Sequence, residues 1–107
     1  MNEEKKVLNL LGLAQRSGKL ASGEFQTEKA VKEQRAALVI LAADDSENTK
    51  KKFQNMCTFY RVNVLELSGK DALGHGIGRS ERSSLAVMDD GFAKAILKAL
   101  EAYSTRR

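Results

Sequence analysis

Eight consecutive apolar residues, Ala36-Ala37-Leu38-Val39-Ile40-Leu41-Ala42-Ala43, stand mid-chain and stop at Asp44-Asp45-Ser46. A strand with one wet face alternates apolar and polar residues, and this run does not. It is therefore expected to be a strand covered on both faces, which calls for a layer of helix on each side. The flanking residues supply such layers. Val7, Leu8, Leu10, Leu11, Leu13 and Ala14 recur at helical spacing over 3–17, with Glu3 and Glu4 suited to the positive helix start, Asn2 as its cap and Gly18 as its stop. A second helix is expected to begin Ser22-Gly23, with Ser22 as N-cap, and to run to about Gln34. A third, about 46–60, carries Phe53, Met56, Cys57 and Tyr60 on one stripe. Ser68-Gly69-Lys70-Asp71 reads as a capping box opening a short helix with Leu73 and Ile77 one turn apart. Asp89 or Asp90 caps a last helix with Phe92, Ile96, Leu97 and Leu100 inward, and Ser104–Arg107 is expected to be a frayed basic end. Further strands are expected at 19–21, 62–67 and 84–88. Helices alternating with strands predict a three-layer α/β/α sandwich about a four-stranded mixed sheet, with residues 1–107 as a single domain.

Composition narrows the function classes. The chain has 107 residues, 42% hydrophobic and 30% charged, no proline, one cysteine and one histidine. A lone Cys57 forms no internal disulfide, and one histidine gives no usual zinc cluster. There is no apolar run near the ~20 residues that span a bilayer, and Met1–Lys6 lacks the layout of a signal peptide. A cytoplasmic monomer without cofactor, metal or membrane association is expected. The net charge of +4 favours a polyanionic partner. Lys and Arg outnumber Asp and Glu only ten to eight over 1–60 and eight to six over 61–107, so any basic patch has to be assembled by folding.

The stretch Arg16–Lys32 concentrates the candidate binding groups. Its second helix starts at Ser22-Gly23, where free backbone N–H groups and the macrodipole favour an anion, and Gly23 would admit a neighbouring backbone. Thr27, Ala30 and Val31 form a small inward face, which leaves Gln26 and Lys29 outward with Phe25 beside them and beside Lys32. Phe25 is either a half-buried anchor at the helix edge or a ring presented to a partner. Arg79 and Arg82, in the polar loop 78–83 with Ser80, are candidates for RNA contact, since arginine pairs with phosphate or a guanine edge in two-pronged fashion. Lys50, Lys51 and Lys52 read first as a solvated helix face. Gly74-His75-Gly76-Ile77-Gly78 follows a helix and precedes a strand, the reverse of a nucleotide-binding glycine loop, so its glycines are expected to end the helix and let it pack closely. His75 has no partner pattern for acid–base work. Asp44-Asp45 and Asp89-Asp90 close strands, where Mg²⁺ carboxylates can sit, but each pair also opens a helix, which is the simpler role. Cys57 lies on an apolar stripe and reads as a buried, inert thiol.

Several stretches, taken in order, resemble the ribosomal-protein family of the 7Ae/30e type, and within it the small bacterial YlxQ-like branch: Gly12-Leu13-Ala14-Gln15-Arg16-Ser17-Gly18-Lys19-Leu20, Gly23 to Ala30, Leu38 to Ser46, and Leu73 to Gly78. The resemblance implies the α/β/α fold and binding of kink-turn RNA. The family's Gly-x-Asn-Glu-x-x-Lys motif, whose polar side chains read the guanine edges of tandem sheared G·A pairs, falls on Gly23, Phe25, Gln26 and Lys29. Gln26 retains an acceptor and adds a donor, whereas Phe25 replaces a base-reading asparagine with a ring that can only stack. The family's second RNA-facing loop falls on Gly78–Ser83, where Arg79-Ser80-Glu81-Arg82 stands in place of an apolar residue.

The expected function is a non-enzymatic RNA-binding protein, on the ribosome or on another structured RNA. Gln26 and Glu24 would read bases and Phe25 would stack. Lys19, Lys29, Lys32, Arg79 and Arg82 would meet phosphates, with Gly23 and Ser80 lining the contact. The alternative is a protein-interaction module that docks a partner through Phe25.

Overall fold

A computed structural model describes the backbone of residues 3–105 and side chains as far as Glu101; Asn2, Arg106 and Arg107, expected to cap and to tail the chain, lie outside the described residues. The elements are α1 (Glu3–Arg16), β1 (Leu20–Ser22), α2 (Glu24–Lys32), β2 (Leu38–Leu41), α3 (Glu47–Tyr60), β3 (Asn63–Glu66), α4 (Lys70–Gly76), β4 (Ser84–Val87) and α5 (Asp90–Thr105). The four strands form one sheet in the order β1-β4-β2-β3. β4 is antiparallel to both β1 and β2, and β2 is parallel to β3.

All four residues of β2 are fully buried, as its unbroken apolar run predicts. Leu38 and Ile40 pack with Val7, Leu11, Leu73, Leu85 and Ile96 on the face covered by α1, α4 and α5. Val39 and Leu41 pack with Ala30, Val31, Phe53, Cys57 and Ala86 under α2 and α3. The expected three layers and mixed sheet are present.

Helix ends decide where loops go, and two expected caps are not formed. Ser22 does not cap α2. It is the last residue of β1, opposite Leu85, and the cap position passes to Gly23, with no side-chain bond to the helix. The cause is β4: the Gly23 N–H donates to the Ser84 carbonyl at 3.0 Å, which prolongs the strand by one residue. Gly23 is required for its φ of 93°, which side-chain-bearing residues rarely adopt, and not for a close neighbour, since a Cβ there would meet nothing within 4 Å. Nor does Ser68 cap α4. Its hydroxyl bonds the Glu4 carboxylate, and the Lys70 N–H at the helix start donates instead to Asp44 Oδ1 at 3.0 Å. Caps formed within one turn are as expected: Thr49 N–H donates to Ser46 Oγ at 3.2 Å and Phe92 N–H to Asp89 Oδ2 at 2.9 Å.

Four helices end alike. After α1, α2, α3 and α4 the chain turns left-handed at Gly18, Gln34, Arg61 and Gly78. The next N–H then reaches back five residues, as from Arg35 to the Ala30 carbonyl and from Arg79 to that of Gly74, the pattern that satisfies the last free carbonyls of a helix. α2 therefore stops at Lys32, short of the expected Gln34, while α5 continues through Ser104 and Thr105 rather than fraying before them. Gly74 is buried against the following loop, where a Cβ would lie 2.0 Å from the Ser80 carbonyl oxygen. The expected role of these glycines in close packing is met there.

Candidate nucleic-acid interface

β1 and β4 run antiparallel with Ser22 opposite Leu85. The chain leaving β1 and the chain entering β4 therefore meet at one end of the sheet. The first becomes the start of α2, and the second is the loop 78–83. Two contacts join them, the Gly23–Ser84 backbone bond and a 3.2 Å bond from Arg82 Nε to Ser22 Oγ.

Arg82 also shapes its own loop. Its Nη1 donates to the carbonyls of Ser80 and Glu81 at 3.2 and 3.0 Å and to Ser80 Oγ at 3.1 Å, while its backbone N–H donates to the Lys70 carbonyl at 3.1 Å. Much of this guanidinium is thus committed to the protein, and the side chain is half-buried. Arg79, one turn of chain earlier, is exposed. Its N–H is bound to Gly74 and no partner of its side chain occurs among the described residues.

On α2, Thr27, Ala30 and Val31 fill the core side, so the outward positions present Glu24, Phe25, Gln26 and Lys29 to solvent. Phe25 is 73% exposed, which overturns the half-buried anchor; helical spacing points it away from the filled face. Its ring lines a shallow depression with Glu28, Lys29, Lys32 and Glu33.

The charges on this side of the molecule largely cancel. Lys32 Nζ lies 2.7 Å from Glu28 Oε2, and Lys52 Nζ, from α3, lies 2.8 Å from Glu28 Oε1 and 3.5 Å from Glu24 Oε2. The hydrogen bonds from Lys32 and then Lys52 pull the Glu28 carboxyl down to about 2, and the same carboxylate raises the Lys52 ammonium. The Glu28–Lys32 pair is legible from its i,i+4 spacing. Lys52 is not, since nothing near it in sequence marks a link to α2.

The fold thus brings Gly23, Glu24, Phe25, Gln26 and Lys29 to the same end as Arg79, Ser80 and Arg82. Lys32 sits at the far end of α2. Lys19 sits at the far end of β1, where its carbonyl accepts the Met88 N–H at 2.8 Å, about 10 Å of strand away from Ser22.

The remaining candidates are accounted for by packing. Asp44 and Asp89 cap helices, as above. Asp45 is buried, its Oδ2 has no hydrogen-bond partner, and burial raises its carboxyl against the pull of Lys70. No group of three or more His, Cys, Asp or Glu is arranged to hold a metal among the described residues. Burial pushes the Cys57 thiol up to about 11, so it is inert near neutrality. Lys50 pairs with Glu66 at 3.3 Å, so the three lysines do not act as one patch. No helix among the described residues is long and apolar enough to cross a membrane.

Known proteins are similar to this chain in sequence and in fold. The chain is 40% identical over 92 residues to the RNA-binding protein YlxQ of Bacillus subtilis (strain 168), covering 86% of this chain and 92% of that one. It is 39% identical over 103 residues to the RNA-binding protein YlxQ of Enterococcus faecium, with 94% and 99% covered. Among solved structures, a protein of unknown function from Bacillus halodurans superposes with a TM-score of 0.86 at 38% identity over 90% of this chain and 97% of that one. The 15.5kD RNA binding protein of Giardia lamblia shares the fold, with a TM-score of 0.77 at 22% identity over 98% and 92%. Residues 5–97, which reach from α1 into α5, match the ribosomal protein L7Ae/L30e/S12e/Gadd45 family, and the chain belongs to it.

Proposed function

We propose that this protein is a non-enzymatic RNA-binding protein of the cytoplasm. It works as a monomer and grips a structured RNA, a kink-turn or a segment of ribosomal RNA, between the start of α2 and the loop 78–83. The observation that carries this reading is the meeting of those two segments at one end of the sheet, joined by Gly23–Ser84 and Arg82–Ser22. Its relatives in Bacillus subtilis and Enterococcus faecium bear the name of RNA-binding proteins, which supports it.

In this interface Gln26 and Glu24 address base edges, and Phe25, which cannot hydrogen-bond, stacks on a base. Lys29 and Arg79 meet phosphates near the centre. Lys19 and Lys32 can meet only the outer reaches of a longer RNA. Arg82 and Ser80 hold the loop in shape, and Gly23 sets the direction of α2. The test is a titration with a kink-turn RNA and with a plain duplex at two salt concentrations. Tight binding to the kink-turn alone is expected, and no binding to either at low salt would sink the reading. Lys29→Ala is expected to cost ~1–3 kcal/mol and to make the salt dependence shallower by about one phosphate contact.

A second reading rests on the exposed Phe25 ring and its shallow depression. There the ring docks a protein partner, and Phe25→Ala would abolish that capture while leaving RNA affinity untouched.

A further inference from the structure

Glu24 and Glu28 are carboxylates on the helix that would face RNA, and an unscreened carboxylate repels a phosphate backbone. Within α2, Lys32 reaches only Glu28. The cation that reaches both acids comes from another helix: Lys52 of α3, 2.8 Å from Glu28 and 3.5 Å from Glu24. Its side chain also lies against the Phe53 ring, with the ammonium 5.4 Å from the ring centre, and Phe53 is fully buried. Lys52 therefore stands over a core residue while it spans two acids on the neighbouring helix. Lys51, next to it, is exposed and has no ion pair among the described residues.

We propose that Lys52 is a positioning residue for RNA binding, which neutralises Glu24 and Glu28 so that a phosphate backbone can approach α2 without itself being a contact. This rests on the RNA-binding reading above and extends it to a helix that reading does not use. Two lysines against two acids leave the side of α2 near neutral, and Lys29 remains as a cation of α2 with no ion pair among the described residues. Without Lys52 the same surface carries an excess negative charge next to Lys29. Opposed charges at such an edge act on approach and binding through the local field.

Lys52→Gln removes the charge and keeps most of the stem over Phe53. The test is a double-mutant cycle with Glu28→Gln, read by titration with a kink-turn RNA hairpin at fixed low salt, each variant checked for its thermal midpoint. Lys52→Gln is expected to weaken binding by about fivefold, and Lys52→Arg to restore it. Glu28→Gln removes the carboxylate that Lys52→Gln leaves uncovered and is expected to recover most of the loss in the Lys52→Gln background. Lys51→Gln removes the same formal charge and is expected to cost less than about twofold. No recovery of the Lys52→Gln loss by Glu28→Gln, or equal losses from Lys51→Gln and Lys52→Gln, would overturn the proposal, leaving a direct contact or net charge as the cause. A wild-type protein that binds no RNA overturns the interface itself. One that binds RNA but is indifferent to Lys52→Gln overturns only the role of Lys52.

Discussion

Removing the ring of Phe25 separates function from folding, because at 73% exposure it supports nothing beneath it. Phe25→Ala is expected to leave stability within ~0.5 kcal/mol in urea unfolding and to cost ~1–3 kcal/mol of RNA affinity by titration, the worth of one stacked base. Full affinity in that variant would remove stacking from the interface. Helical spacing puts Phe25 outside the inward face of Thr27, Ala30 and Val31, so its anomaly was legible in the sequence. The employment of Arg82 was not. An arginine in a polar loop reads as a free phosphate ligand, and only the pairing of β1 with β4 brings the Ser22 hydroxyl, 60 positions away, within 3.2 Å of its Nε. The loss of Ser22 as a helix cap has the same origin, since a residue recruited by a neighbouring strand is no longer placed to cap.

At the scale of elements, local chemistry was legible and distant chemistry was not. Ser46 and Asp89 cap their helices by bonds to residues three positions on, a spacing visible in any sequence. The start of α4 takes its acceptor from Asp44, 26 positions earlier, so no local motif announces it. The end of α2 was hard to read for another reason: Gln34, like Arg61 after α3, takes the left-handed turn that glycine usually takes. That conformation costs a side-chain-bearing residue ~1–2 kcal/mol, part of which a glycine would return as lost chain entropy on folding. Gln34 is exposed, so Gln34→Gly is expected to raise stability by ~0.5–1 kcal/mol in urea unfolding. A loss of stability would mean that its side chain supports the turn.

For the molecule as a whole, two carboxylates bias the pH dependence of folding in opposite directions. Glu28 sits at about 2 when folded against an ordinary 4.5, so its contribution is fully present above 4.5 and is lost as pH falls through about 2. Asp45 is raised above 3.8 by burial. The folded state keeps that proton longer than the unfolded chain, and stability is given up as pH rises past 3.8. Asp45→Asn is therefore expected to raise the thermal midpoint at pH 7 and to leave it nearly unchanged at pH 3, where the wild-type carboxyl is largely protonated. An equal shift at both pH values would assign the effect to packing instead. The position of β4 has a different consequence, one of timing. It is the last strand in the chain, yet it lies between β1 and β2 and alone joins β1 to the rest of the sheet. Until Ser84–Val87 have been synthesised, α2 has no Ser84 carbonyl to anchor its first residue, and the arginine-held loop has no strand to lead into. A growing chain thus lacks the edge proposed to face RNA until nearly all of it has been made, and an unfinished copy is not expected to bind RNA there.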